Sequence, residues 1–293
     1  MEFEKFIEVV REIVAEKSGK RVEIKVINKN NNIKLHGLAI FEECSNISPT
    51  IYLEQFWEMY EKTGCMNIII DKIMNMYTRG RIDNIDMEWI TCWETVKSKI
   101  AYKFVNYEAN KEMLQTVPHT KFLDLAKTYY IIFENDDVGE GTINIHNNFI
   151  DMWGVTVEEL DGVATVNTPQ KYPMQMITFQ EILCEKGFDV ECEECGGCNK
   201  DFVVLTNENK CFGAATMCYE NVLKSIADSK ESDVIIIPCS VHECLIGRMV
   251  PVEELKYIKE LVKGANADCV LPEERLSDCV YVYRRETDTI EFA

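Results

Sequence analysis

The chain has no excess of basic residues, and this absence excludes whole classes of partner. Lysine and arginine together number 31, against 50 aspartate and glutamate residues, which gives a formal net charge of -19. Such a surplus of negative charge repels both the phosphate backbone of nucleic acids and anionic lipid headgroups. We therefore expect neither direct binding to nucleic acid nor attachment to a membrane surface.

Long apolar runs and a secretory signal are also missing. No apolar stretch approaches the roughly 18 residues that a membrane-spanning helix needs. The first ten residues, MEFEKFIEVV, carry acidic side chains where a secretory signal requires basic ones. The 13 cysteines of a chain without an export signal are expected to be reduced thiols. The sequence therefore predicts a cytoplasmic protein.

Complete catalytic and nucleotide-binding signatures are absent as well. The chain contains no H-E-x-x-H zinc-protease motif, no G-x-S-x-G nucleophile turn, no Walker A loop and no G-x-G-x-x-G dinucleotide motif. With only four histidines, a metal site built mainly from imidazoles is not expected. These absences favour a binding or regulatory protein over an enzyme.

What the chain does contain is a hydrophobic pattern that changes repeatedly between helix and strand periods. Apolar residues between Phe3 and Val14 recur at helical spacing, and the two alternating runs that follow flank Asn30 and Asn31, as in a β-hairpin. The chain ends in a second predicted hairpin, DCVYVYRR with DTIEFA. Because no glycine-rich turn joins a strand to a helix, the pattern predicts an α+β fold with mixed or antiparallel sheets rather than a doubly wound nucleotide-binding sheet.

The sequence divides into two predicted regions. Residues 1–116 are expected to form an N-terminal helix, a hairpin and a helical stretch, and residues 117–293 an α+β region. A single integrated domain is the alternative. Within the first region, Asp83–Leu114 is expected to be mostly helical, because apolar residues such as Trp93 and Val96 lie on one helical stripe.

Two helix ends in the second region have local signals. Thr156, followed three residues later by Glu159, has the spacing of a capping box and predicts the first turn of a helix. Val252–Val262 has helical periodicity, and Gly264 is expected to end that helix, because glycine readily adopts the left-handed backbone conformation that follows a helix.

A cysteine-rich insertion is predicted at residues 184–211. Its cysteines are Cys184, Cys192, Cys195, Cys198 and Cys211, and the middle three have the spacing C-x-x-C-x-x-C. Thiolates at that spacing can wrap one tetrahedral Zn²⁺ ion, so zinc is the cofactor that this segment would hold. An iron–sulfur cluster and uncoordinated thiols in a loop are the alternatives. With zinc, the segment would be a stabilised module for protein interaction.

The segment Asp233–Leu245, DVIIIPCSVHECL, places a serine, a histidine, a glutamate and two cysteines directly after an apolar strand. If the polar end is extended, Ser240, His242 and Cys244 share one face of the strand. Residues two apart on a strand have Cα atoms about 7 Å apart, so a hydrogen bond between the Ser240 hydroxyl and the His242 ring requires a bend. Pro238 could mark that bend.

Two interpretations of this segment stay open. In the first, the chain is a hydrolase-like enzyme with Ser240 or Cys239 as the nucleophile and His242 as the base. Glu243, or an acidic residue from another segment, would then orient the imidazole. In the second, Ser240 and His242 bond to backbone groups at a strand end, and the edge at residues 239–244 lines a groove for a protein partner. The missing catalytic signatures favour the second interpretation.

Several longer phrases of the chain are distinctive, among them VPHTKFLDLAKTYYI (117–131), VLTNENKCFGAATMCYENVL (204–223) and VIIIPCSVHECLI (234–246). In their order and spacing these phrases resemble a bacterial family of Firmicutes, the domain-of-unknown-function family 5688. The stretch Trp153–Pro169 is also similar to a second Firmicutes family, the one that contains the protein YtpQ. The resemblance implies a cytoplasmic α+β protein and supplies no catalytic residues.

The family pattern also distinguishes stronger from weaker candidate site residues near His242. It reads Pro-Ser-Ser-(Val/Ile)-His-Glu, where this chain has PCSVHE from Pro238 to Glu243. Cys239 therefore stands where the family has its first serine, while Ser240, His242 and Glu243 match. The resemblance thus makes His242 a stronger candidate than Cys239, and it makes the cysteine-rich insertion a local addition to the common pattern.

Overall fold

The structure is a computed structural model of the chain, and it describes residues 1–42, 48–80, 87–135, 139–178, 181 and 202–293. Two compact units make up the chain. The first contains Met1–Ile90 and Phe133–Gly141, and the second contains Thr91–Ile132 and Thr142–Ala293. The boundary predicted at residue 116 falls inside the second unit.

The described helices and strands have the following bounds. The helices are α1 (Phe3–Ser18), α2 (Glu54–Thr63), α3 (Met66–Arg79), α4 (Trp93–Val96), α5 (Lys111–Leu114), α6 (Asn147–Trp153), α7 (Val157–Lys171), α8 (Val222–Lys230) and α9 (Val252–Cys269). The strands are β1 (Arg21–Asn28), β2 (Lys34–Phe41), β3 (Thr50–Tyr52), β4 (Ile100–Asn106), β5 (His119–Phe122), β6 (Leu125–Asn135), β7 (Gly139–Asn144), β8 (Met174–Thr178), β9 (Val203–Asn207), β10 (Val234–Ile237), β11 (Cys244–Arg248), β12 (Tyr281–Arg284) and β13 (Thr289–Phe292).

The first unit packs three helices against a small antiparallel sheet of order β1-β2-β3. The predicted hairpin is present, since β1 pairs with β2 along its whole length and Asn31 and Asn32 take the positive φ angles of the turn. Leu38 and Ile40 project from β2 into a core that α1, α2 and α3 complete. His36 lies on the same face, because side chains two apart on a strand share a side.

The second unit contains a six-stranded antiparallel sheet of order β13-β12-β10-β11-β9-β8. One of its two central strands, β10, is the run Val-Ile-Ile-Ile, and all four residues are buried. β-branched side chains favour strands, and a run that is apolar on both faces needs cover on both sides. Leu255 and Val262 of α9 supply part of that cover against Ile235 and Ile237.

A second antiparallel sheet in this unit has the order β4-β6-β5, and β7 also pairs with β6. Helix α7 packs against β4, and the Thr168 hydroxyl accepts the backbone N–H of Tyr102 at 3.0 Å. The predicted capping box is confirmed: Thr156 accepts the Glu159 N–H and the Glu159 carboxylate accepts the Thr156 N–H. These two sheets with their helices, together with the helix-and-hairpin start and the final hairpin β12–β13, confirm the predicted α+β class.

Two local predictions were wrong. The helical prediction for Asp83–Leu114 fails over Ile100–Asn106, which forms β4 and pairs with β6 along seven residues, with short helices on either side. The apolar residues at helical spacing continue into a segment rich in β-branched and aromatic residues. The pairing of that segment with another strand outweighed its helical periodicity. Gly264 does not end α9, which continues to Cys269; a Cβ added at Gly264 would meet only open space.

No helix in the described ranges is both long and apolar enough to cross a bilayer. This finding agrees with the absence of long apolar runs in the sequence.

Candidate functional site

Residues 238–243 connect β10 to β11 and leave the sheet instead of extending either strand. Four backbone hydrogen bonds hold the connection, one of them from the Ala214 N–H to the Val241 carbonyl at 3.3 Å. Val241 N–H donates to the Glu274 carbonyl at 2.8 Å, and the carbonyls of Cys239 and Pro238 each accept a backbone N–H from residues 276–277 at 3.0 Å. The polar end of the segment is therefore bent and fixed, so the condition for Ser240, His242 and Cys244 to share a strand face is not met.

Ser240 is buried, and its hydroxyl serves the backbone. Its Oγ accepts the backbone N–H of His242 at 3.1 Å, which is the usual local turn made by a serine two residues before the donor. Ser240 also forms an isolated bridge with Arg275. In the part of the chain that the structure describes, no hydrogen bond joins the Ser240 hydroxyl to the His242 ring.

The His242 ring is oriented from both of its nitrogens. Nδ1 accepts the backbone N–H of Phe212 at 3.2 Å, and Nε2 lies 3.5 Å from Oε1 of Glu274. Because a backbone N–H only donates, Nδ1 carries no hydrogen, and the proton of the neutral ring is on Nε2. That N–H faces the Glu274 carboxylate. The imidazole is held in one tautomer, with 30% of its side-chain surface exposed.

Phe212 contacts His242 through both its backbone and its ring. The two rings stack at an interplanar angle of 13°, with centroids 5.9 Å apart. Phe212 has φ 54°, a left-handed conformation that costs a residue with a Cβ some energy. Buried Asn207 stabilises the turn before it, since its side chain bonds to both the carbonyl and the N–H of Cys211.

The ammonium group of Lys103 lies over two aromatic rings, those of Phe212 and Tyr130. Its Nζ lies 4.4 Å from the centroid of the Phe212 ring and 5.6 Å from that of Tyr130, within the range of cation–π attraction. It also donates to Oδ1 of Asn144 at 2.9 Å. We call the row of Lys103, Phe212, His242 and Glu274 the His242 face.

The thiols near this face are protonated at neutral pH. Burial, reinforced by the nearby Glu243 carboxylate, raises the pKa of Cys239 to about 11. Cys244 is fully buried, and burial raises its pKa well above the ordinary value. Since the thiolate is the nucleophilic form of cysteine, neither residue is activated in this environment.

Glu243 is exposed, and the carboxylate that faces His242 is that of Glu274. No local sequence signal marks Glu274, Phe212 or Lys103, because Phe212 and Glu274 reach His242 from segments at least 30 residues away and Lys103 lies over the Phe212 ring. Only the glycine at position 213 hints at a close approach, since a Cβ there would collide with the Thr206 hydroxyl and the His242 carbonyl.

Of the five predicted zinc ligands, one lies among the residues that the structure describes. Cys184, Cys192, Cys195 and Cys198 lie outside the described residues. Cys211 is described and is exposed at the turn before Phe212. Among the residues that the structure describes, no three histidine, cysteine or acidic side chains are grouped as metal ligands. The zinc site stays a prediction.

The fold and the site together define an α+β protein of antiparallel sheets that presents a histidine fixed by backbone contacts. The model of a family of unknown function, DUF5688, matches residues 3–285, and the chain belongs to that family. The resemblance noted in the sequence is thereby confirmed for the family, while bacterial origin and similarity to the YtpQ family stay predictions. No curated protein and no solved structure matches the chain.

Proposed function

We propose that the chain is a cytoplasmic bacterial binding protein that recognises a protein partner through the His242 face and catalyses no reaction. The observation that carries the proposal is the arrangement of the His242 ring. Nδ1 is occupied by the Phe212 N–H and Nε2–H faces Glu274, while the Ser240 hydroxyl accepts a backbone N–H. A general base needs a free nitrogen within hydrogen-bond reach of its nucleophile, and this ring has none directed at Ser240.

The composition of the His242 face also supports recognition of a protein. It combines the stacked rings of Phe212 and His242 with the charged groups of Glu274 and Lys103, and aromatic side chains are enriched at protein interfaces. Phe212 and His242 are held by backbone bonds before any partner arrives, so little side-chain entropy is lost when the face is covered. The resulting surface is rigid and chemically mixed.

Binding measurements with single variants test this proposal. A partner is first recovered by affinity purification with the tagged chain, and the Kd is then measured with both proteins purified. His242→Ala and Glu274→Gln should each raise the Kd by at least about tenfold, the range expected for a residue at the centre of an interface. His146→Ala is the matched control, because His146 is exposed at the start of α6 and lies outside the His242 face.

Two results would contradict the proposal. The first is a Kd that is the same for wild type, His242→Ala and Glu274→Gln. The second is turnover of any substrate by the purified chain that disappears in His242→Ala, which would favour the hydrolase-like alternative with Ser240 or Cys239 as its nucleophile.

A further inference from the structure

The first unit contains a second histidine–carboxylate pair, formed by His36 of β2 and Glu54 at the start of α2. Oε1 of Glu54 accepts the backbone N–H of His36 at 2.6 Å and lies 3.0 Å from Nδ1 of the same residue. The backbone N–H of Leu53 donates to the His36 carbonyl at 2.9 Å. Strand and helix are thus joined at this point, and the imidazole is fixed against the carboxylate.

The hydrogen bonds decide which nitrogen of His36 can accept a ligand. An ionised carboxylate only accepts, so Nδ1 carries the hydrogen in its bond with Oε1 of Glu54. In the neutral ring Nε2 then has a lone pair that can accept a hydrogen bond. About a third of each side chain is exposed, 30% for His36 and 32% for Glu54. A ligand can therefore approach the pair from solvent.

Aromatic side chains stand beside the imidazole. The Phe3 ring meets the His36 ring edge to face, at 80° with centroids 5.2 Å apart, and Trp57 lies 5.8 Å from Phe3. Across the sheet His36 pairs with Val26, whose side chain is 57% exposed although it lies on the same strand as core residues. The pair is therefore flanked by the Phe3 ring, with Trp57 behind it, and by one open aliphatic side chain.

One oxygen of Glu54 has no hydrogen bond. Oε2 is buried and makes none, although a carboxylate oxygen can accept two. Within the described part of the chain, His36 is the only ionisable partner of Glu54. Because Oε2 is shielded from solvent and makes no hydrogen bond, its negative charge is only weakly screened.

We propose that His36, Glu54, Phe3 and Trp57 form a binding site for a primary ammonium group carried on an aliphatic chain, as in a lysine side chain. The Nε2 lone pair of His36 can accept a hydrogen bond, and the negative charge of Glu54 and the neighbouring aromatic rings attract cations, so the site offers an acceptor and negative potential to a ligand that supplies donors and positive charge. The aliphatic chain of the ligand would pack on Val26. The net charge of -19 draws cations toward the protein in general.

Ring resonances of His36 and Trp57 in the full chain report binding directly. The probe is n-butylammonium chloride, added at constant ionic strength while carbon–proton correlation spectra are recorded, and 1-butanol is the neutral probe of similar shape. Saturable shifts of both rings are expected with butylammonium, with binding at least tenfold weaker for butanol. Adding Nα-acetyl-lysine N-methylamide separates two sources of the ligand: tighter binding than butylammonium indicates a protein side chain, and equal binding a free amine.

Charge substitution gives the second arm of the test. Glu54→Gln keeps the shape and one acceptor oxygen but removes the charge, and it should weaken butylammonium binding at least tenfold. Glu58→Gln, an exposed position on the same helix, should leave binding unchanged. The proposal is overturned if the His36 and Trp57 rings do not shift, if butanol shifts them equally, or if the two glutamine variants bind alike. The comparison of butylammonium with butanol uses the wild-type chain, so it decides the matter even if Glu54→Gln does not fold.

Discussion

His242 and His36 each have a carboxylate neighbour, yet the two neutral rings carry their protons on opposite nitrogens. At His242 a backbone N–H donates to Nδ1, so the proton is on Nε2 and faces Glu274. At His36 Nδ1 itself donates to Glu54, and Nε2 is left as an acceptor. The same residue type is therefore a donor at one surface and an acceptor at the other. The group that contacts Nδ1 determines which ring nitrogen carries the proton.

Substitution of Gly213 should damage the His242 face through packing alone. A Cβ at this position would overlap the Thr206 hydroxyl and the His242 carbonyl, which are hydrogen-bonded to each other at 2.8 Å. Gly213→Ala is expected to lower the free energy of unfolding by about 1–3 kcal/mol, the usual cost of overpacking. Gly162→Ala is the control, because Gly162 lies in α7 with open space around its Cα, and alanine there should raise stability by about 0.5–1 kcal/mol. Urea unfolding of both variants measures the difference, and equal effects would contradict the packing argument.

Cys239 should react slowly with thiol reagents in the folded chain. Burial raises its pKa to about 11, whereas an ordinary cysteine has a pKa of about 8.5. At about pH 8 the thiolate fraction is then lower by on the order of a hundredfold. Alkylation followed by mass spectrometry of peptides should therefore modify exposed Cys269 much faster than Cys239. Comparable rates for the two residues, with the chain still folded, would show that the Cys239 thiol is activated.

The sequence identified one member of the His242 face and missed the others for a physical reason. His242 was recognisable because serine, histidine and glutamate follow an apolar strand within a few residues. Phe212 and Glu274 reach it only because turns at residues 207–213 and 271–277 fold against the β10–β11 connection. No local pattern near Phe212 or Glu274 specifies its contact with His242, so this site depends on the tertiary structure.

Helix starts with their own local signals were predicted correctly, whereas β4, a strand decided by distant pairing, was not. Helix α1 has an apolar stripe, and α7 begins with a capping box, so both are encoded within a few turns of chain. Strand β4 carries apolar residues that fit either period, and its identity is settled by pairing with β6 about 25 residues later. Local patterns therefore predict helix starts better than the strands they pack against.

The cysteine-rich segment gives a test at this same scale. If its predicted ligands bind zinc, protein purified without a chelator should contain about one zinc ion per chain. Cys195→Ser should lose that ion, while Cys92→Ser, at an exposed position in another segment, should retain it. Elemental analysis of the three proteins makes the measurement. Wild-type protein that contains neither zinc nor iron would leave the segment without a metal role.

At the scale of the whole molecule, the buried tyrosines are expected to lower the free energy of unfolding at alkaline pH. Burial raises the pKa of Tyr102, Tyr130 and Tyr281 far above the ordinary value of about 10. The folded state therefore keeps these phenols neutral at a pH where the unfolded chain releases their protons. Their contribution to stability is fully present below about pH 10 and is lost as the pH rises above that value.

Urea unfolding at a series of pH values checks this expectation. The free energy of unfolding should fall steeply above about pH 10. Replacing one buried phenol, as in Tyr102→Phe, should make that fall shallower, even though it removes a hydrogen bond to the Ala215 carbonyl and lowers stability at neutral pH. Tyr257→Phe is the control, because Tyr257 is 62% exposed, and it should leave the slope unchanged. Equal slopes for all three proteins would show that these phenols do not control the loss of stability at alkaline pH.

The pairing of β8 with β9 has a consequence for how this chain can change over evolutionary time. Their register sets Thr178 opposite Val203, and paired residues on antiparallel strands have Cα atoms about 5 Å apart. The chain therefore leaves the sheet and re-enters it at nearly the same point, and the entropy of closing a loop grows only slowly with its length. Sequence between these two residues can be gained, exchanged or lost without altering any strand register. Exchange of the sequence between Thr178 and Val203, which holds four of the five cysteines of the predicted insertion, would therefore leave the six-stranded sheet in the same register.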